Sequence, residues 1–374
     1  MIIKYSLGID ASKDKMKCCL STIDEKQMVK IKSTKTISNN MSGFKTLQVW
    51  IEKNHKDKSI PLVNCIEATG IYHENCALFL HKMGYNISVV LPNKSKKYLE
   101  ALGLKSKNDS IDAKGLSRMG AEQNLKPWSP MSEYYYRLRD LTRQHQSLQE
   151  QKTALNNQLH ALEHSMYKSK IVIKQIKKAI TMIDKQLKEV SLEIRTHVNS
   201  DSQVASKIKK VCTVKGLGLI TVATVVAETN GFHLFENHKQ LVSYSGYDVV
   251  ENQSGKHQGK TKISKKGNSR IRRALHFPAF TAKKHGGEVF QNLYKRTFEK
   301  HKIPMKSYVA LQKKLLIIMY YLWKKDEEFD PMYNQNIIEC EQEISSKVIS
   351  EGVKKSSPIC IRATQGKLSV NAHS

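Results

Sequence analysis

Four carboxylates carry the most distinct chemistry that this chain offers. Asp109 and Asp112 lie three residues apart in Lys107-Asn108-Asp109-Ser110-Ile111-Asp112-Ala113, where the chain enters a helix. Positions i and i+3 share one helix face, so these two acids can converge on one point. Like charges held that close repel unless a cation sits between them, and oxygen-only ligands suit a hard ion such as Mg²⁺ or Mn²⁺. The D-x-x-D spacing alone is common on solvated helix faces, so its weight comes from two further acids. Asp10 closes the apolar run Ile2 to Ile9, and Glu67 closes a second run, Pro61 to Ile66. Two metal ions about 4 Å apart can stabilise both the entering and the leaving oxygen of a phosphodiester. Taken singly, Asp10 reads as a strand-end turn residue and Glu67 as a surface ion-pair partner. The joint placement of the four favours a metal site.

The elements around these acids suggest how they are positioned. Residues 1–37 read as three strands, Ile2–Ile9, Lys15–Ile23 and Gln27–Ile37, rich in β-branched residues with turn signals between them. Ser42 reads as the N-cap of a helix carrying Phe44, Leu47, Trp50 and Ile51 on one face. A strand ending at Glu67, a helix over Tyr72–Met83 and a strand over Asn86–Leu91 follow, and Pro92 opens a connection. The order β-β-β-α-β-α-β-α predicts an α/β domain of ribonuclease-H-like fold over residues 1–125. In open α/β sheets, ligands bind at the C-terminal ends of neighbouring parallel strands.

Composition supplies the partner. The chain has 374 residues, with 62 Lys+Arg against 34 Asp+Glu and a formal net charge of +28. That excess exceeds any need of solubility and implies a polyanion, nucleic acid before membrane. Seven scattered cysteines form no C-x-x-C pair, which argues for reduced thiols and against a disulfide framework or zinc. The residues from Met1 to Gly8 lack a signal-peptide layout, and the apolar run Leu315–Trp323 is too short to span a bilayer. The expectation is a cytoplasmic, nucleoid-associated protein without membrane contact.

No glycine falls between Gly120 and Gly216, and no proline between Pro130 and Pro278. Leu138, Leu141, Leu148, Leu155, Leu159, Leu162 and Met166 keep a three-four spacing, with His145 and Lys152 completing it. Ile173, Ile176, Ile180, Ile183, Leu187, Val190 and Ile194 form a second series. These seams predict an α-helical coiled coil over residues 126–200, with a phase break at Ser165–Lys170. A helical hairpin and a dimerisation stalk both fit.

Residues 201–330 read as a mainly α domain. Lys215-Gly216-Leu217-Gly218 suggests a helix-hairpin-helix-like turn whose backbone N–H groups bind phosphate, or an ordinary helix corner. Asn252 to Gly287 contains no acid, whereas Lys256, Lys260, Lys262, Lys265, Lys266, Arg270, Arg272 and Arg273 crowd its first half. A solvated charge run mixes signs; this one is the footprint of a phosphate backbone. Residues 331–374 read as a polar tail.

The motifs resemble those of the DEDD transposases of bacterial insertion sequences, whose N-terminal domain is similar to the Holliday-junction resolvase RuvC. The residues that carry the likeness are Gly8-Ile9-Asp10-Ala11-Ser12-Lys13, Glu67-Ala68-Thr69-Gly70-Ile71-Tyr72, Lys107 to Ala113, Gly216-Leu217-Gly218, Gln253-Ser254-Gly255, Ile263 to Asn268 and Leu275. Ala11 and Asn108 replace commoner residues in their motifs. The resemblance implies that Asp10, Glu67, Asp109 and Asp112 bind the metal. It also implies that Ser254 is a nucleophile that bonds covalently to DNA, and that an element-encoded guide RNA selects the DNA that is joined. The apolar seams over Leu138 to Ile194 add the expectation of a homo-oligomer, dimer or tetramer. On sequence alone, a serine before glycine in a basic loop is an ordinary turn residue.

Two other functions compete. A resolvase-like endonuclease would cut with water at the acids, leaving Ser254 structural. An architectural nucleic-acid-binding protein would be indifferent to Mg²⁺ and to Asp10.

Overall fold

Five strands form the sheet of the first of two units, Met1–Met131, in the computed structural model of the chain: β1 (Ile2–Ala11), β2 (Lys15–Asp24), β3 (Val29–Ser38), β4 (Leu62–Glu67) and β5 (Ile87–Val90). The described residues are 1–103, 109–251, 253–254, 257–259 and 261–332. The strands lie in the order β3-β2-β1-β4-β5. β1, β2 and β3 pair antiparallel, and β4 and β5 run parallel to β1. This is the ribonuclease-H-like arrangement that the order of elements predicts.

Four helices accompany the sheet: α1 (Met41–Asn54), α2 (Glu74–Lys82), α3 (Pro92–Ala101) and α4 (Asp109–Glu122). Alternation along the strands assigns each face its cover. Leu7, Ile9, Leu20 and Ile66 share a core with Phe44, Leu47 and Ile51 of α1 and with Ala77 and Leu80 of α2. On the opposite face, Cys65 and Val90 pack with Leu116 and Met119 of α4. Two local expectations are corrected. The N-cap of α1 is Asn40, whose side chain accepts from Gly43 N at 2.9 Å, so Ser42 falls inside the first turn. Pro92 begins no loop; it fills the first position of α3, where its fixed φ and missing N–H cost nothing.

The second unit starts at Ser132 and is mainly helical. α5 (Glu133–Glu163) and α6 (Lys170–Asn199) are joined by a short turn where the heptad phase breaks. They pack antiparallel, with Leu148 against Ile183 and Leu187. Lys152, the lysine on the seam, is paired with Asp184 at 2.5 Å, and Lys177 reaches Glu163 at 3.1 Å. α7 (Ser202–Val211) and α8 (Leu219–Glu228) follow, then α9 (His238–Tyr244). Four two-residue strands come next, β6 (Val249–Val250), β7 (Gln253–Ser254), β8 (His257–Gln258) and β9 (Lys262–Ile263). α10 (Ser269–Ala274), α11 (His276–His285), α12 (Glu288–His301) and α13 (Pro304–Lys325) complete the unit.

α8 is apolar on every side and lies in the middle of this core, with Val222, Ala223, Val225, Val226 and Ala227 fully buried. The ends of the helical hairpin join the same core through Leu138, Ile194 and Val198. Among the described residues no helix is long and apolar enough to cross a membrane, and the five described cysteines are all free. Of the tail expected over residues 331–374, all but Pro331 and Met332 lies outside the described residues.

Candidate active site

The sheet puts Asp10 and Glu67 side by side. β1 and β4 are parallel with Ile9 opposite Ile66, so the next residue on each strand is one of the two acids. Strand alternation gives Asp10 the face of Ser6 and Gly8, and gives Glu67 the face of Cys65. That is the face covered by α4.

α4 crosses it antiparallel to β1. A Cβ added to Gly120 would stand 2.4 Å from Ser6 Oγ and 3.3 Å from Cys65 Cβ. One added to Gly8 would stand 2.1 Å from Ser117 N and 2.3 Å from Ala113 O. Only glycine at position 8 lets the helix backbone lie directly on the strand. Two strand residues advance about 7 Å, the length of four to five helix residues. Moving from Gly8 to Asp10 therefore brings the first turn of α4, with Asp109 and Asp112, toward the same strand ends.

Buried hydroxyls tie α4 down. Ser117 Oγ donates to Ser6 O at 2.8 Å, which uses its single proton, so Ser21 Oγ donates to Ser117 Oγ at 2.6 Å.

Glu67 is half-buried and held by two hydroxyls: Ser95 Oγ donates to its Oε2 at 2.6 Å and Thr69 Oγ1 to its Oε1 at 3.1 Å. Asp10 and Asp112 are half-buried and Asp109 is exposed. Asp10 and Glu67 thus share one end of one sheet face, the face that α4 crosses. Among the described residues, however, no three His, Cys, Asp or Glu side chains stand close enough to hold a metal. Carboxylates without a cation between them repel, and the donor set, oxygen alone, fits a hard divalent ion.

Ser254 lies in the second unit. β6 pairs antiparallel with β9 and β7 with β8, so these four short strands make a nested hairpin with Ser254 opposite His257, and Ser254 is exposed. Backbone bonds fix the foot of the hairpin: Ser264 N to Asp248 O at 2.8 Å, Lys265 N to Gly246 O at 3.1 Å and Asn268 N to Tyr244 O at 2.7 Å.

Asn268 does more. Its Oδ1 caps α10 through Arg270 N and Ile271 N, and its Nδ2 donates to Glu228 Oε2 at 2.8 Å. Glu228 is 2 % exposed and also accepts from Arg143 Nε at 2.7 Å and Nη2 at 3.0 Å. Burial pushes its carboxyl up, but the hydrogen bonds from Arg143 and Asn268 and the charges of Arg143 and Arg270 outweigh that and hold it below the usual range.

The basic run divides by role. Lys262, Lys265 and Lys266 are exposed. Arg272 donates from Nη1 to Ser245 O at 2.8 Å and to Gly267 O at 3.3 Å, so it braces the hairpin foot. Arg273 pairs with Glu150, and Arg270 Nε lies 3.9 Å from Glu228 Oε1. Lys256 and Lys260 lie outside the described residues, as do Lys107, Asn108 and Gly255 of the motifs.

In the turn between α7 and α8, Lys215 and Gly218 are exposed. Gly216 has φ +100°, and a Cβ there would stand 2.9 Å from Pro278 O. Sequence reasoning missed Ser95, Ser117 and Glu228. Glu228 carried a readable signal, as the one acid closing the apolar run that begins at Leu217.

Comparison with known proteins decides the family. A family model described as "Transposase", of the DEDD IS110 type, matches residues 7–167, and one described as "Transposase IS116/IS110/IS902 family" matches residues 208–295. The chain belongs to the IS110-type DEDD transposases. It is a DNA transposase/recombinase. Two relatives are pilin gene-inverting proteins of Moraxella lacunata and Moraxella bovis. Each is 28 % identical over 331 residues, covering 87 % of this transposase and 98 % of the relative. A probable family 20 transposase of Pseudomonas aeruginosa is 19 % identical, covering 58 % of this chain and 69 % of that one. The Thermus thermophilus RuvC structure aligns with a TM-score of 0.26 at 11 % identity, over 33 % of this chain and 99 % of that one.

Proposed function

We propose that this transposase cuts and rejoins DNA with Ser254 as nucleophile and with Asp10, Glu67, Asp109 and Asp112 as the seat of a divalent metal, Mg²⁺ or Mn²⁺. One observation carries the reading: adjacent parallel strand ends present Asp10 and Glu67 on the face crossed by the helix that begins with Asp109 and Asp112. When bound, the metal neutralises charge on the phosphoryl oxygens. Ser95 and Thr69 fix the direction of the Glu67 carboxylate. Ser254 Oγ loses its proton as it bonds to phosphorus, and the bond from phosphorus to the departing strand breaks. The freed oxygen takes up a proton and leaves as a hydroxyl. The phosphoester is kept as a serine–DNA bond, so the reverse attack by another strand's hydroxyl rejoins DNA without an external energy source. Lys262, Lys265 and Lys266 bind phosphates along the strand, and Lys215 with the Gly216–Gly218 turn offers a second contact. When both sites lie in one DNA in opposite orientation, the same exchange inverts the segment between them, the outcome for which the Moraxella relatives are named.

The family resemblance adds an element-encoded RNA that selects the DNA; the net charge of +28 suits a second polyanion. The apolar helices of residues 126–200 add self-association. Met182 and Leu192 on α6 are 58 % and 65 % exposed, which leaves apolar surface outside the hairpin's own seam. Met182→Lys with Leu192→Lys should lower the mass found by light scattering; an unchanged mass removes α6 from the interface.

The main test traps the reaction on nicked DNA and maps the DNA-linked peptide by mass spectrometry. Ser254→Ala should bind DNA as the wild type does and form no adduct, and Asp109→Asn should also form none. Full strand transfer by Ser254→Ala would return the reaction to water at the acids. A linkage at Ser243, Ser245 or Ser264 would relocate the nucleophile.

A further inference from the structure

We propose that Phe277 is a stacking platform for an unpaired base of the DNA strand. Of the nine phenylalanines in the chain, it alone is exposed, at 76 %. A ring left in water forgoes the stabilisation that burial would give, so its position calls for a partner.

Its surroundings hold it ready. His276 meets it edge-on with centroids 5.4 Å apart, and Phe280 backs it at 6.4 Å. Phe280 in turn meets Tyr308 with centroids 4.0 Å apart and planes tilted by 30°, and Tyr308 meets Tyr294 at 5.1 Å and 57°. Lys283 Nζ sits 4.1 Å from the centre of the Tyr294 ring, which fixes a positive charge beside this ladder. Thr281 and Lys284 are exposed one and two helical turns beyond Phe277 on the same face of α11. No acid occurs from Asn252 to Gly287.

The occupant follows from these features. A partner protein's apolar patch would favour neutral surroundings, whereas an exposed aromatic ring on a helix that carries Lys283 and Lys284 and no acid matches a single strand, whose bases stack while its phosphates meet lysines. Exchanging strands between duplexes opens base pairs, so a recombinase must handle unpaired bases at the point of exchange. A fully paired duplex has no base face to offer.

The test uses the full-length protein and fluorescently labelled oligonucleotides. Phe277→Ala and Phe277→Leu should each weaken binding of single-stranded DNA by roughly 5- to 150-fold while leaving a fully paired duplex within about twofold. Phe277→Trp should keep the affinity. Its added emission, taken as the difference from Phe277→Leu, should be that of a water-exposed indole and should be quenched by the single strand.

Equal weakening of duplex and single strand would reduce Phe277 to a general contact and overturn the proposal. So would Phe277→Leu binding as tightly as the wild type, because a flat π face would then be unnecessary. A buried-type indole emission from free Phe277→Trp, or a changed mass in Phe277→Ala, would assign the ring to a protein contact instead. Quenching by an RNA oligonucleotide but not by DNA would transfer the platform to RNA and refute the DNA assignment.

Discussion

Gly8→Ala is the smallest change that should separate the acids from one another. A Cβ at position 8 would stand 2.1 Å from Ser117 N, against the 3.4 Å of an ordinary contact, so α4 must lift by about 1.3 Å. Both close atoms, Ser117 N and Ala113 O, belong to the backbone, so no side-chain rotation relieves the clash. The shift is applied one to two turns from Asp109 and Asp112, and it also stretches the 2.8 Å bond from Ser117 to Ser6. Overpacking of this kind costs about 1–3 kcal/mol, or a melting temperature lowered by roughly 3–12 °C. Misplacing a reacting constellation by about 1 Å costs on the order of 10²-fold in rate. Adduct formation measured well below the melting temperature should therefore fall about 100-fold, with DNA affinity unchanged. Leu47→Ala provides the control. Leu47 is fully buried in the core on the other face of the sheet, so its loss should cost about 2–5 kcal/mol and spare the rate. Wild-type adduct formation by Gly8→Ala, or an equal rate loss in Leu47→Ala, would refute the placement of α4 over Asp10.

Two other outcomes are expected. A carboxyl held below its ordinary value, as that of Glu228 is, contributes stability that is complete above 4.5 and is lost as pH falls below it. Urea unfolding between pH 7 and pH 3 should show this slope and Glu228→Gln should flatten it, whereas Arg143→Met should cost about 3 kcal/mol at pH 7, near the low end for a buried pair because Arg143 is 37 % exposed. Replacing Lys262, Lys265 and Lys266 by Gln should lower the salt dependence of DNA affinity by about one unit of log–log slope per lysine without changing the melting temperature; Arg272→Gln should lower the melting temperature, because its donors hold Ser245 O and Gly267 O.

Much of the first unit was legible because strand alternation and acid placement are local signals. Ile2–Ile9 and Pro61–Ile66 announced strands ending on Asp10 and Glu67, and the observed strands run to Ala11 and Glu67. α3 was hidden by Pro92, which reads as a break yet fits a first helical position, and with α3 went Ser95, the residue that directs Glu67. The contact of Gly8 with Ala113 and Ser117 joins residues more than a hundred positions apart, and no periodicity encodes it. In the second unit, charge located the basic run but could not sort it. Arg272 and Lys265 look alike in sequence; whether a cation meets solvent or a neighbouring carbonyl is settled by tertiary packing.

The hairpin that carries Ser254 stands on two ladders of only two residues per strand. α8, by contrast, is enclosed within the core. Backbone amides of α8 should exchange with deuterium only on global unfolding, while those at Val250 and Ser254 exchange through local opening. Whatever freedom local opening leaves at Val250 and Ser254 is given up when DNA is engaged. The measured affinity for DNA will accordingly be weaker than the contacts in the bound state would suggest.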